Sequence, residues 1–137
     1  FLAKERASVF VPGEHGSTFG GNQLTCAAGY ATLKYMLEND VIGNCRRVGQ
    51  YLASRLSALK DESGLVVGVR GNGLLLALEL AREVSAEAVS ECVNQGLLLN
   101  AVTPTAIRFM PPLIVTEKDV DEVVKIVGRV LSRIEKK

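Results

Sequence analysis

The segment from Thr116 onward constrains the fold most. Val120, Val123, Val124, Val127, Val130, Leu131 and Ile134 recur at three- and four-residue steps, as one face of an α-helix does. Thr116, with Asp119 three residues on, reads as a capping-box-like start. A stripe this continuous has to be buried against another layer. Just upstream, Ala106 to Met110 reads as a strand that Pro111-Pro112 terminate, because neither proline can donate to a ladder.

Working back along the chain, two β-like runs, Leu65 to Arg70 and Leu74 to Leu80, flank Gly71-Asn72-Gly73. Asn-Gly between such runs predicts a tight antiparallel hairpin. Ser85 is placed to cap a short helix carrying Ala86, Val89, Cys92 and Val93, with Gly96 where a left-handed C-terminal residue is wanted. Leu97-Leu98-Leu99 then reads as a buried strand. Earlier still, Val41, Cys45, Val48, Leu52, Leu56 and Leu59 form the apolar stripe of a helix that ends before Ser63-Gly64. Asn22 is a good N-cap for another helix that runs to about Glu38, with Leu24, Ala27, Ala28, Ala31 and Tyr35 on one side. The order, two helices then β-β-α-β-β-α, predicts an α+β domain: a small, largely antiparallel sheet with helices packed on one face.

Composition narrows the function classes. A chain of 137 residues can bury a real core. A formal net charge of +1, with no run of Lys and Arg, gives no field to draw nucleic acid or an anionic membrane. Cys26, Cys45 and Cys92 are odd in number and far apart, so neither a disulfide framework nor a zinc knuckle is written here, and a reducing cytoplasmic setting fits best. No apolar stretch approaches the roughly 20 residues of a spanning helix. Phe1 in place of an initiator Met, with strand-like Phe1-Leu2-Ala3 running into charged Lys4-Glu5-Arg6, suggests a chain that begins inside a larger protein.

Two places carry chemistry. Thr18 lies just before Gly20, Gly21 and the cap at Asn22, so a hydroxyl, a permissive backbone and a helix N-terminus converge where an anion could sit. The plain alternative is a Ser/Gly turn that merely starts a helix. Arg108 alternates with Ile107 and Phe109 near a strand end. Its planar fork suits a carboxylate, while a strand arginine pointing to solvent is the plain alternative. His15 has no metal-ligand partners at regular spacing and reads as a loop histidine. Gly68, Gly71 and Gly73 precede a strand, the wrong context for a phosphate loop. Glu79 reads as a carboxylate leaving the sheet edge into solvent. On these residues alone, a stand-alone ligand-binding or regulatory module with an anion-binding turn at Ser17-Thr18 stays open beside an enzyme.

Longer stretches add a resemblance. Pro12-Gly13-Glu14-His15-Gly16-Ser17-Thr18-Phe19-Gly20-Gly21-Asn22 is similar to a unit carried by class III pyridoxal-phosphate-dependent aminotransferases. The run from Gly96 to Leu113 resembles the acetylornithine branch of that family more than the ornithine or 4-aminobutyrate branches. Val69 to Leu75 and Leu78-Glu79-Leu80 match a shared hairpin. Gln23 departs from a usual proline, and Ala77 from a frequent glycine. The matching covers nearly all of the chain.

The resemblance implies the C-terminal small domain of a fold-type I enzyme over residues 39–137, preceded over residues 1–38 by an interface loop and linking helix. It implies pyridoxal 5'-phosphate as cofactor and a homodimer, in which Thr18 reaches the cofactor phosphate of the neighbouring subunit. Ser17 would lie beside the substrate, and Arg108 would hold the α-carboxylate of glutamate or 2-oxoglutarate and pair with a glutamate, outside this chain, during the other half-reaction. The implied reaction moves the δ-amino group of N-acetylornithine to 2-oxoglutarate, yielding N-acetylglutamate semialdehyde and glutamate in arginine biosynthesis. An ornithine, succinylornithine or 4-aminobutyrate relative is the alternative within the family. The catalytic Schiff-base lysine would lie outside this chain, whose own lysines fall in charged or polar settings, so the chain alone is expected to be inactive.

Overall fold

The structure is a computed structural model that describes residues 4–18 and 20–137. The strand-like Phe1-Leu2-Ala3, and Phe19 of the loop unit, lie outside the described residues. The chain divides into two units, Phe1–Glu38 and Asn39–Lys137.

In the first unit a single 3₁₀ turn, Glu5–Ala7, precedes the loop and helix α1, Gln23–Glu38. Asn22 caps α1 as its side-chain type predicts: its Oδ1 accepts the Thr25 amide at 2.9 Å. The helix buries none of its residues, and Leu24, Tyr30, Leu33 and Leu37 are all exposed.

The second unit opens with α2, Val41–Glu62, whose apolar stripe is buried at Val41, Val48, Leu52, Leu56 and Leu59. Asp40 caps it by accepting the Gly43 amide. Strands β1, Val66–Asn72, and β2, Leu75–Leu80, form the expected antiparallel hairpin. The turn falls one residue later than Asn-Gly suggested. Asn72 pairs with Leu75, so the loop residues are Gly73 and Leu74, and Gly73 takes φ +55° at the first central position, where a type II′-like turn needs glycine.

Helix α3, Ser85–Asn94, is followed by β3, Asn100–Thr103, and β4, Ala106–Phe109. Two expectations fail here. Ser85 is not the cap: it is the first helical residue, is buried, and its hydroxyl donates to the Thr103 carbonyl at 2.6 Å, tying α3 to β3. Leu97-Leu98-Leu99 is not a strand. Gly96, at φ +81°, closes α3 with paired bonds from its own amide to Val93 and from the Leu97 amide to Cys92, and the chain becomes a strand only at Asn100, leaving Leu98 81% exposed.

Among the described residues the strands form one antiparallel sheet in the order β1-β2-β4-β3. Side chains alternate across it. Leu76, Leu78, Leu80, Ile107 and Phe109 face the core they share with the helices. Helix α2 packs on β1 and β2, α3 on β3 and β4, and α4, Glu117–Glu135, packs on α2 and α3. The opening stripe of α4 is buried as expected, and its capping box is complete: Asp119 accepts the Thr116 amide while its own amide donates to the Thr116 hydroxyl. The α+β layering with helices on one face is therefore the observed one.

Candidate functional site

In the first unit the loop ahead of α1 is organised by a serine. Ser17 Oγ accepts the Gly20 amide at 2.9 Å, so the chain folds back just before the helix cap. A side chain at Gly20 would collide with that same oxygen. Gly21, at φ +72°, then turns the backbone into Asn22. Thr18 sits at the bend with its residue exposed. The Gly20 amide is taken by Ser17 and the Thr25 amide by Asn22, so the loop places the Thr18 hydroxyl close in sequence to the N-terminus of α1, a type of position that suits a phosphate. His15 stacks on Phe10 with ring centroids 5.5 Å apart, which supports its reading as a loop residue.

In the second unit Arg108 is placed by β4. Ile107 and Phe109 are buried on the core face, so alternation puts Arg108 on the other face. Register carries a row across all four strands: Arg70 opposite Ala77, Ala77 opposite Arg108, and Arg108 opposite Asn100. Arg108 is half-buried, its Nε is enclosed without a hydrogen-bond partner, and it forms no ion pair among the described residues. An enclosed guanidinium nitrogen has a donor to offer to an oxygen acceptor, as Gln95 Nε2, likewise enclosed and without a partner, also does.

Arg108 and Asn100 also help to line a cavity of about 740 Å³ whose other walls are mostly apolar, including Leu52, Leu97, Leu99, Phe109, Val120 and Val123. The loop after β4 forms one wall, and Asn44 fixes it. The Asn44 amide nitrogen donates to the carbonyls of Leu113, at 2.9 Å, and Val115, at 3.0 Å. Arg47 extends the brace, donating to Asn44 Oδ1 and pairing with Glu117. Asn44 escaped the sequence reading because it lies off the apolar stripe of α2 and meets its partners only across the fold.

The acids near Arg108 are held by other groups. Asp119, which lines the same cavity, accepts from Thr116, and these bonds, the hydroxyl's first, hold its carboxyl below the ordinary aspartate value. Glu79 does not run free into solvent at a sheet edge. It lies on the interior strand β2 and accepts from Arg70 Nε at 2.7 Å.

Ser17 and Thr18 thus belong to the first unit and Arg108 to the second. All seven lysines are exposed. Cys92 is buried, and loss of solvent, with the charge of Glu91 second, pushes its thiol up to about 11, so it is a poor nucleophile. No metal-ligating cluster, and no helix long and apolar enough to cross a membrane, occurs among the described residues.

Residues 1–131 match the family model described as aminotransferase class-III. The acetylornithine aminotransferase of Caldanaerobacter subterraneus is 41% identical over 133 residues, covering 97% of this chain and 34% of the relative. Among solved structures, the acetylornithine aminotransferase of Elizabethkingia anophelis superposes with a TM-score of 0.83 at 30% identity, covering 93% of this chain and 34% of that one. The ornithine δ-aminotransferase of Plasmodium falciparum gives a TM-score of 0.87, also at 30% identity, covering 98% and 36%. The chain spans about a third of the length of these relatives.

Proposed function

The chain belongs to the class-III aminotransferase family, and from that membership we propose that the protein carrying it is a pyridoxal-phosphate-dependent aminotransferase with N-acetylornithine as amino donor and 2-oxoglutarate as acceptor. The products are N-acetylglutamate semialdehyde and glutamate, and the reaction serves arginine biosynthesis. The protein works in the cytoplasm as a homodimer. Residues 1–38 form an interface loop and linking helix, and residues 39–137 the C-terminal small domain.

The observation that carries the substrate side of this reading is Arg108: a permanent cation with an enclosed, unpartnered Nε beside an apolar cavity. It binds the α-carboxylate of 2-oxoglutarate and glutamate through charge-assisted bonds. Asn44 holds the cavity's loop in place. Thr18 donates its hydroxyl to the cofactor phosphate of the neighbouring subunit, and Ser17, its own oxygen already engaged with Gly20, borders the substrate. Pyridoxal phosphate, when bound, supplies the carbonyl that takes up the amino group and a conjugated ring that stabilises charge at the carbon losing its proton. The lysine that anchors it lies outside this chain.

Arg108→Ala in the full-length protein tests the assignment. Loss of charge-assisted hydrogen bonds of about 1.5–3 kcal/mol predicts that KM for 2-oxoglutarate and for glutamate rises about ten- to hundredfold. The half-reaction with N-acetylornithine should change far less. Unchanged kinetics with both dicarboxylates would refute the role. The ornithine aminotransferase, at the same identity and with a TM-score of 0.87 against 0.83, supports ornithine as the second candidate donor. Parallel assays with the two amines separate them.

A further inference from the structure

The outer face of the sheet carries a second arginine and an acid that the carboxylate site does not use. Arg70 and Arg108 stand on either side of Ala77 in one cross-strand row, about 10 Å apart by two strand spacings. Glu79 lies on the same face as Ala77, directly opposite Ala106, which makes it the diagonal neighbour of Arg108 across β2 and β4. Diagonal neighbours in an antiparallel pair are about 7–8 Å apart at the backbone, within reach of a glutamate and an arginine side chain. The Glu79 carboxylate nevertheless pairs with Arg70, at 2.7 Å, and Arg108 forms no ion pair among the described residues.

We propose that Arg70 is a positioning residue for Arg108: by holding the Glu79 carboxylate on the β1 side, it keeps that acid from neutralising Arg108 and leaves the guanidinium open to a substrate carboxylate. The inference rests on the carboxylate-binding role given to Arg108 above. Its logic is competitive. Glu79 has two cations within reach across one small residue, and a free Arg108 requires that the other cation hold it. Ala77 fits this arrangement, since a larger side chain between the two arginines would crowd the row. Asp119, the acid lining the cavity, is likewise held by Thr116. The ion pair is partly exposed, so the expected effect is that of a surface pair, a few-fold change in affinity.

The test uses the full-length, cofactor-loaded protein and titrates it calorimetrically with glutarate, a dicarboxylate that cannot turn over, alongside kcat and KM for 2-oxoglutarate. Arg70→Ala should weaken glutarate and raise KM about two- to fivefold, the weight of an exposed pair, with kcat unchanged. Glu79→Gln should leave both constants at the wild-type level. The double variant Arg70→Ala/Glu79→Gln should return to that level, and Arg70→Lys, which still holds the acid, should match wild type. A merely structural pair would instead make Glu79→Gln as damaging as Arg70→Ala and leave the double variant unrescued, which would overturn the proposal. Arg108→Ala is the control for the reading beneath it. If that variant binds glutarate as wild type does, the carboxylate site falls and the proposal with it. If it loses glutarate while Arg70→Ala does not, the proposal alone falls.

Discussion

Thr18 and Asp119 show how much a single side chain is asked to do. The turn at residues 17–20 uses the serine oxygen as an acceptor for the Gly20 amide, and the role proposed for Thr18 is to donate its hydroxyl to the cofactor phosphate. Thr18→Val keeps the shape and removes that donor. A hydrogen bond to a charged group is worth about 1.5–3 kcal/mol, so cofactor affinity of the full-length protein should fall about tenfold or more, while Thr18→Ser retains it. Equilibrium dialysis against pyridoxal phosphate measures this, and equal affinity in all three proteins would remove Thr18 from the phosphate site. Asp119 has a depressed carboxyl, caused first by the Thr116 hydroxyl and then by the Thr116 amide. A carboxyl lowered on folding stabilises the fold above its unfolded value and loses that contribution as pH falls through the folded one. Wild type should therefore exceed Asp119→Asn in stability at neutral pH, and the gap should close below the ordinary value of 3.8. Denaturant melts at several pH values check the sign. These roles differ in how far the sequence discloses them. Thr116 and Asp119 are three residues apart, and a cap is a local event. The Arg70–Glu79 pair and the Asn44 brace exist only after strands and helices have met, and no periodicity marks them.

At the level of elements, the sharpest constraint is where α2 passes the hairpin. Gly49 is buried in α2, and a β-carbon there would sit 2.5 Å from the carbonyl carbon and oxygen of Gly73. Those are backbone atoms of a tight turn, which cannot rotate away as a side chain would. Gly49→Ala raises helix propensity in general, yet here it should destabilise the fold by about 1–3 kcal/mol, the cost of overpacking a filled core. Gly73→Ala is opposed for another reason, its positive φ. Thermal melts of Gly49→Ala decide the first point, and a melting temperature at or above wild type would contradict it. The same contact explains part of what the sequence concealed. Helix α4 could be read because its stripe and cap are complete within one segment. The β1–β2 turn slipped by one residue because Gly71, Asn72 and Gly73 offer several tight turns, and the register of the two apolar faces selects among them. Leu97-Leu98-Leu99 misled because a short apolar run has no period of its own. Its middle residue is exposed beside the cavity, whereas the strand that pairs with β4 begins at polar Asn100.

The two units differ in how they are held together, and that difference bears on what the chain can do alone. Residues 39–137 carry a continuous core drawn from α2, the sheet, α3 and α4, with Leu56, Leu78, Ile107 and Leu131 fully enclosed. Helix α1 has no buried residue. A core of this kind predicts that the second unit folds cooperatively without the remaining two thirds of the length seen in the relatives. Folding is not the same as turnover. A nucleophilic lysine has to be at least partly desolvated, and every lysine of this chain is exposed. In the proposed reading the carboxylate-binding arginine, the phosphate-binding threonine and the covalent anchor are therefore separable, and this chain would hold the first two. Purified as 137 residues, it should show one cooperative urea transition. Supplied with pyridoxal phosphate, N-acetylornithine and 2-oxoglutarate, it should form no glutamate above the rate of the cofactor alone. Glutamate formation abolished by Arg108→Ala would mean that one of these exposed lysines becomes desolvated when substrate binds, and would overturn the assignment of the covalent step to the rest of the protein.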